Sequence, residues 1–198
     1  YSFGSFSPTT LRYLKVASDL SDLFDGVENM NVLEIGGGYG GQCLVSSMTH
    51  GFKSWTIVDL PEVSKLQKKY LEKNKVDNVN FLSHDTVPTE KYDLIISNYA
   101  FSECTKSMQD FYLENYFNED VKIYMTLNFI ESEDEDLNSS YDAFTLKNIL
   151  KTGYYREVPQ THPKNIIALR GNDCDLKWKI NIYIALTIPF ITHMVLIM

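Results

Sequence analysis

The chain has 198 residues, enough for one domain with a full hydrophobic core and too few for two complete domains. Its 18 lysines and arginines against 26 aspartates and glutamates give a formal net charge of −8, which disfavours a broad basic surface for DNA or RNA. Its three cysteines form no C-x-x-C pair, so the sequence predicts neither a disulfide framework nor a zinc site and favours a reducing, cytoplasmic compartment.

The first half of the chain alternates between predicted helices and strands. The segment SPTTLRYLKVASDLSDLF starts with Ser and Pro and continues with apolar residues at helical spacing, which predicts an amphipathic helix. NVLEI at 31–35 is a short apolar strand, and GGQCLVSSMTHG continues as a helix that ends at Gly51. A second strand is predicted at about 53–58, and the helix PEVSKLQKKYLEKNK follows it.

The second half repeats this alternation and then changes it. VNFLSHD and KYDLIISNY are predicted strands, followed by the helix SMQDFYLENYF and the strand VKIYMTLNF. The next helix, SSYDAFTLKNIL, is predicted to be capped by Ser140 and to stop at Gly153. YYREV and NIIALRG then form two strands with no helix between them. The prediction is an α/β, doubly wound, mostly parallel seven-stranded sheet with a C-terminal antiparallel hairpin.

We divide the chain into three parts. Residues 1–30 are a helical lead-in, 31–172 the main domain, and 173–198 an apolar tail. The chain begins with Tyr1 and has no charged segment preceding an apolar core, so we expect no signal peptide and a truncated N-terminus.

The tail contains INIYIALTIPFITHMVLIM, a stretch without formal charge that is about as long as a bilayer span. Asn181, Pro189 and His193 weaken that interpretation. We therefore favour a buried C-terminal element, or a tail with no counterpart in the fold, over contact with a membrane.

The segment VLEIGGGYGGQ can be parsed in two ways. Gly36, Gly38 and Gly41 form G-x-G-x-x-G, the pattern of a dinucleotide-binding turn. With Glu34 in front, Gly36, Gly38 and Gly40 form E-x-G-x-G-x-G, which suits S-adenosylmethionine (SAM). The glycine spacing alone leaves both cofactors open.

Glu34 favours the second parse. It lies within an apolar strand, where an unpaired carboxylate would cost several kcal/mol, and the ammonium and sulfonium groups of SAM would give it a partner. Gln42 could extend the polar contacts along the first turn of the next helix. The alternative is that Glu34 accepts hydrogen bonds from backbone amides of the loop.

Two further acids follow successive strands. Asp59 ends the second strand, where an acidic residue binds ribose hydroxyls in either parse. Asp85 ends the third strand, where it could accept a hydrogen bond from the adenine amino group, or serve only as a turn residue or helix cap. Three acids at three strand ends favour SAM, with Gly40 as the third glycine of the motif and Gly41 as a helix-packing residue.

These residues, together with DLIISNYAFSE, resemble the motifs of class I, Rossmann-like SAM-dependent methyltransferases over about residues 30–170. The phrases SPTTLRYLKVASDL, LEIGGGYGGQC, DLPEV, SNYAFSEC and TGYYREVPQTHPKNIIAL resemble a sugar O-methyltransferase family of microbial and viral carbohydrate clusters. The resemblance implies methyl transfer to a hydroxyl of a sugar or glycan precursor. It implies that SAM is bound by Glu34, Gly36, Gly38, Tyr39, Gly40, Gln42, Asp59, Leu60, Asp85 and Asn98, with the leucine packed on adenine.

Few residues are candidates for the base that deprotonates the acceptor. Glu103 follows the fourth strand, although it could instead cap the next helix. His162 lies between the last two strands and could be an ordinary loop histidine. The sequence contains no H-E-x-x-H motif, so no metal site is predicted. The acid run ESEDED at 131–136 is interpreted as a solvated loop, or alternatively as a substrate lid.

Three other functions stay open. Asn98 and Tyr99 begin the N-P-P-Y pattern of amino methyltransferases, but both prolines are missing. The glycine loop could also serve an NAD-dependent oxidoreductase, or a SAM-binding domain that has lost its activity. The predicted partner is a small molecule, with no nucleic acid expected.

Overall fold

The computed structural model describes residues 6–129, 140–157, 160 and 162–171. The helices are α1 (Pro8–Phe24), α2 (Gly41–Thr49), α3 (Pro61–Lys73), α4 (Lys106–Asn115) and α5 (Ala143–Leu150), with a 3₁₀ turn at Ala100–Glu103. The strands are β1 (Asn31–Ile35), β2 (Ser54–Asp59), β3 (Val79–Ser83), β4 (Leu94–Asn98), β5 (Lys122–Asn128), β6 (Gly153–Arg156) and β7 (Asn165–Arg170).

The strands form one seven-stranded sheet in the order β3-β2-β1-β4-β5-β7-β6. The first five strands of that order pair in parallel, whereas β7 is antiparallel to both β5 and β6. This confirms the predicted Rossmann-like, doubly wound sheet with its C-terminal hairpin. The strand order reverses between β1 and β4, and a ligand site is expected at the carboxyl ends of these two strands.

The central strands β1, β2, β4 and β5 are mostly apolar on both faces, as expected where helices cover both faces of a sheet. On one face, α1, α2 and α3 pack through residues such as Leu20, Cys43 and Leu71. On the other, α4 and α5 pack through Tyr112 and Leu146. Alternate residues of each strand enter opposite cores, which fixes the register of the sheet.

Helix α5 corrects two details of the prediction. Its N-cap is Asp142, whose carboxylate accepts hydrogen bonds from the backbone of the first turn, and not Ser140. The helix ends at Leu150 with Lys151 in the left-handed conformation, while Gly153 opens β6. A carboxylate accepts two amide hydrogen bonds here and also interacts with the helix dipole, so Asp142 is the better cap.

Helix α1 begins at Pro8, as predicted, and its N-cap is Ser7, whose hydroxyl accepts a hydrogen bond from the Thr10 amide. Buried Asp19 fixes this helix to the sheet, because the Tyr124 hydroxyl of β5 donates to it at 2.8 Å. No helix among the described residues is long and apolar enough to cross a membrane. The apolar tail and the acid run at 131–136 lie outside the described residues.

Candidate functional site

The glycine loop between β1 and α2 matches one of its two parses. Gly36, Gly38 and Gly40 have positive φ angles of 73°, 55° and 94°, a region that favours glycine. Gly41 has no positive φ and begins α2, where an added Cβ would lie 2.2 Å from the ring of Tyr13. The backbone thus requires the glycines of E-x-G-x-G-x-G, and Gly41 is a packing residue.

The surroundings of these glycines differ. A Cβ on Gly36 would lie 2.1 Å from the Cβ of Ala100, so the loop is in close contact with the exit from β4. A Cβ on Gly38 would meet nothing within 4 Å, and this residue is exposed. The middle of the loop therefore faces open space at the carboxyl edge of the sheet.

Glu34 is 2 % exposed, and its carboxylate accepts a hydrogen bond from the Trp55 indole of β2 at 2.8 Å. This bond comes from an indole and not from loop amides, which corrects the alternative given above. The pKa of Glu34 is raised to about 7, chiefly by burial; the Trp55 hydrogen bond opposes this rise and the negative charge of Asp59 adds to it. A carboxylate in this position is stabilised by any cation that binds beside it.

Asp59 is connected to the glycine loop by one side chain. The carboxamide nitrogen of Gln67 donates to Asp59 Oδ2 at 2.7 Å and to the Gly38 carbonyl at 2.9 Å. Asp59 Oδ1 accepts from the backbone amide of Leu60 at 2.9 Å. Gln67 is fully buried, and sequence analysis missed it, although a glutamine on the apolar stripe of α3 between Val63 and Leu71 was a usable signal.

Leu60 and Asp85 lie exposed after β2 and β3. Leu60 is 51 % exposed, so its side chain is available for contact with a ligand. The Ser83 hydroxyl donates to the Asp85 carboxylate at 2.6 Å, and this hydrogen bond lowers the pKa of that carboxyl. Both side chains are accessible from the side of the sheet at which Asp59 ends β2.

Gln42 and Tyr39 connect the loop to α1. The Gln42 carboxamide is buried and donates to the Tyr13 carbonyl at 3.2 Å, which directs the amide group towards α1. The Tyr39 ring packs edge-on between Tyr13 and Tyr70, with centroid distances of 5.9 and 5.0 Å. In the described structure, Gln42 and Tyr39 therefore pack the glycine loop against α1.

The rest of the candidate site is formed by Asn98, the last residue of β4, and Tyr99, which follows it. Both polar atoms of the Asn98 carboxamide are buried and have no hydrogen-bond partner among the described residues. Tyr99 follows with φ 74° and ψ −33°, a strained backbone for a residue with a side chain. Its hydroxyl donates to Glu157 Oε1 at 2.6 Å, and the Arg12 guanidinium lies 5.0 Å from its ring centroid. Sequence analysis missed Glu157 and Arg12, which lie far from Tyr99 in the chain.

The two predicted bases lie in separate loops. Glu103 is exposed at the end of the 3₁₀ turn, and it does not cap α4, because the Thr105 side chain does so. His162 is half-buried between β6 and β7, and its Nδ1 accepts from the Lys164 amide at 3.2 Å. Among the described residues, no group of three or more His, Cys, Asp and Glu side chains could hold a metal ion.

Comparisons with known proteins give fold-level matches alone. No protein-family model and no curated protein matches the chain. A candidate O-methyltransferase from Nostoc punctiforme PCC 73102 superposes with a TM-score of 0.61 and 13 % identity, over 81 % of this chain and 56 % of that one. The chain has the fold of the Rossmann-like methyltransferases.

Two more solved structures have a fold similar to that of this chain. A variant of MtNAS, crystallised with S-adenosylmethionine, has a TM-score of 0.59 and 18 % identity, over 80 % of this chain and 60 % of that one. PH0226 from Pyrococcus horikoshii OT3 has a TM-score of 0.64 and 11 % identity, over 83 % and 91 %. This chain thus spans less than two thirds of the Nostoc and MtNAS proteins.

Proposed function

We propose that the chain is a SAM-dependent methyltransferase that methylates a hydroxyl of a sugar or glycan precursor. The observation that carries this proposal is the loop Gly36–Gly40, with three positive φ angles and an open centre, set between the buried carboxylate of Glu34 and the partly exposed carboxylate of Asp59. A dinucleotide would bring a pyrophosphate close to these carboxylates, whereas SAM brings positive charge.

The residues present fit SAM. Glu34 would face its ammonium group across the glycine loop, which offsets the desolvation of a carboxylate buried in the sheet. Asp59, held by Gln67, would accept hydrogen bonds from the ribose hydroxyls. Exposed Leu60 would cover the adenine, and Asp85 would accept from its amino group. The MtNAS structure, which has a similar fold and contains SAM, supports SAM as the cofactor.

SAM supplies an electrophilic methyl group, and the chain has to bind, orient and desolvate the reacting groups. The close Gly36–Ala100 approach brings the β4 exit beside the loop, so an acceptor held by the residues after β4 would lie next to the cofactor. Glu103 and His162 remain candidate bases at this edge of the sheet.

The sugar acceptor is supported by the sequence phrases that resemble sugar O-methyltransferases. The Nostoc neighbour, a candidate O-methyltransferase, supports transfer to a hydroxyl without indicating a sugar. A second acceptor class, an amine, is supported by Asn98 and Tyr99, which begin the N-P-P-Y pattern of amino methyltransferases at the end of β4. We place the reaction in the cytoplasm, where the free thiols of Cys43 and Cys104 would stay reduced.

Two measurements test this function. Isothermal titration of the purified chain with SAM and with NAD should show binding of SAM alone, and Asp59→Ala should weaken it while Asp77→Ala, an exposed acid away from the loop, should not. Labelled SAM is then incubated with nucleotide sugars and with primary amines. Binding of NAD but not of SAM would overturn the proposal. Transfer of the label to amines would favour the second acceptor class. Binding of SAM without transfer to any acceptor would indicate a domain that has lost its activity.

A further inference from the structure

A polar cluster lies beside the cofactor loop and has no role so far. Tyr99, directly after β4, has a strained positive φ that packing must maintain, and its amide donates to the Thr126 carbonyl of β5 at 2.8 Å. This turn directs the Tyr99 ring towards β6 and β7 and away from the adenosine side of the sheet. Such strain is concentrated at functional sites.

The partner of Tyr99 is a buried carboxylate. Glu157, just after β6, is 9 % exposed. Its Oε1 accepts from the Tyr99 hydroxyl at 2.6 Å, and its Oε2 accepts from the Asn165 carboxamide at 3.3 Å. Three strands thus contribute one side chain each, and the Arg12 guanidinium of α1 covers the tyrosine ring.

A second observation indicates that a ligand binds here. Asn98 follows Ile96 by two positions, so its side chain lies on the sheet face that Ile96 shares with α1. Both its amide nitrogen and its amide oxygen are buried without a partner among the described residues, which is unfavourable for buried polar groups. A hydroxyl group both donates and accepts, and would satisfy the two atoms together.

We propose that Tyr99 and Glu157 are the proton-accepting pair for a hydroxyl acceptor held by Asn98. The inference rests on the proposed methyltransferase function. As the acceptor oxygen forms its bond to the methyl carbon and the methyl–sulfur bond breaks, the acceptor proton passes to the Tyr99 oxygen, and the Tyr99 proton passes to Glu157. The carboxylate becomes a neutral carboxyl as the sulfonium becomes a neutral thioether, so charge and atoms balance.

The test compares Tyr99→Phe and Glu157→Gln with the wild type. SAM affinity, measured by calorimetry, should stay within about twofold, because neither residue belongs to the glycine loop. Turnover of labelled SAM with nucleotide sugars should fall by about 10²-fold or more, the usual effect of general base catalysis. The pH profile of turnover should differ between wild type and Glu157→Gln, a difference that a purely structural role of Glu157 would not produce.

Tyr141→Phe is the matched control, because the Tyr141 hydroxyl donates to the Asp110 carboxylate at the same distance of 2.6 Å on the α4 side. It should leave turnover unchanged. Turnover within about threefold of wild type in Tyr99→Phe and Glu157→Gln, well short of the usual effect of general base catalysis, would overturn this inference alone. Wild-type chain that fails to bind SAM would overturn the proposed function, and SAM binding without transfer to any hydroxyl would contradict the proton transfer while keeping the cofactor site.

Discussion

Gln67→Met is the substitution that separates the cofactor site from the fold most sharply. The replacement keeps the length of the side chain and removes the amide group that joins Asp59 to the Gly38 carbonyl. It also removes Gln67 Oε1, a buried acceptor without a partner among the described residues. The substitution therefore removes the hydrogen bonds that join Asp59 to the glycine loop and places a sulfur and a methyl group in the core.

The two effects on folding nearly cancel. A hydrogen bond to a charged group contributes about 1.5–3 kcal/mol and one to a carbonyl about 0.5–1.5 kcal/mol, while removing an unsatisfied buried acceptor returns about 1–3 kcal/mol. Gly38 is exposed and Asp59 half-exposed, so water replaces part of each bond. We expect the free energy of unfolding to fall by about 1 kcal/mol, against a typical total of about 5–15 kcal/mol.

The effect on ligands depends on their ribose hydroxyls. Asp59 loses its fixed orientation, so affinity for 5′-methylthioadenosine should fall by about tenfold, which corresponds to about 1.4 kcal/mol. Affinity for 2′,3′-dideoxyadenosine, which has no hydroxyls for Asp59, should change by less than about twofold. Calorimetry on both ligands measures the difference.

The matched control is Gln109→Met. Gln109 is equally buried, on α4 against the opposite face of the sheet, where it donates to the Phe101 carbonyl at 2.9 Å. This variant should lose stability and leave the ratio of the two affinities unchanged. Equal losses for both ligands in Gln67→Met would refute the positioning of Asp59 and indicate a structural effect only.

Three other predictions follow from the same contacts. The pKa of Glu34 is raised to about 7 from its ordinary 4.5, so the folded chain binds a proton more tightly than the unfolded chain. The protonated group therefore contributes about 3 kcal/mol at most to the free energy of unfolding. This contribution is complete below pH 4.5 and is lost as the pH rises towards 7. Glu34→Gln should be more stable than wild type at pH 8 in urea unfolding, should lose this dependence on pH and should bind SAM more weakly; a less stable variant at pH 8 would contradict it. Gly36→Ala should abolish SAM binding in calorimetry, because its methyl group would collide with Ala100, and wild-type affinity would refute the described loop. Asp142→Ala should lower the unfolding free energy by about 1 kcal/mol and Ser140→Ala should not; the reverse result would restore the predicted cap.

Most of the fold could be predicted from the sequence because hydrophobic periodicity specifies the elements. β1, β2, β4 and β5 are mostly apolar runs bounded by polar or glycine residues, as expected for strands covered on both faces. The antiparallel pairing of β6 with β7 was predicted equally well. The end of α5 was not, because Lys151 takes the left-handed conformation that a glycine would be expected to supply.

The site was predictable only where its residues are close in the chain. Gly36, Gly38 and Gly40 share one turn, and Asp59 follows the next strand at a regular interval. The Tyr99–Glu157 pair joins residues 58 positions apart, and its formation depends on β7 lying between β5 and β6. No local pattern carries that information.

A crystal structure of the chain with S-adenosylhomocysteine would test the central claim most directly. We predict that the amino-acid end of the ligand lies against Gly36–Gly38 beside Glu34, with the ribose hydroxyls on Asp59. A ligand bound elsewhere on the chain, with the loop and both carboxylates empty, would contradict the proposed cofactor site.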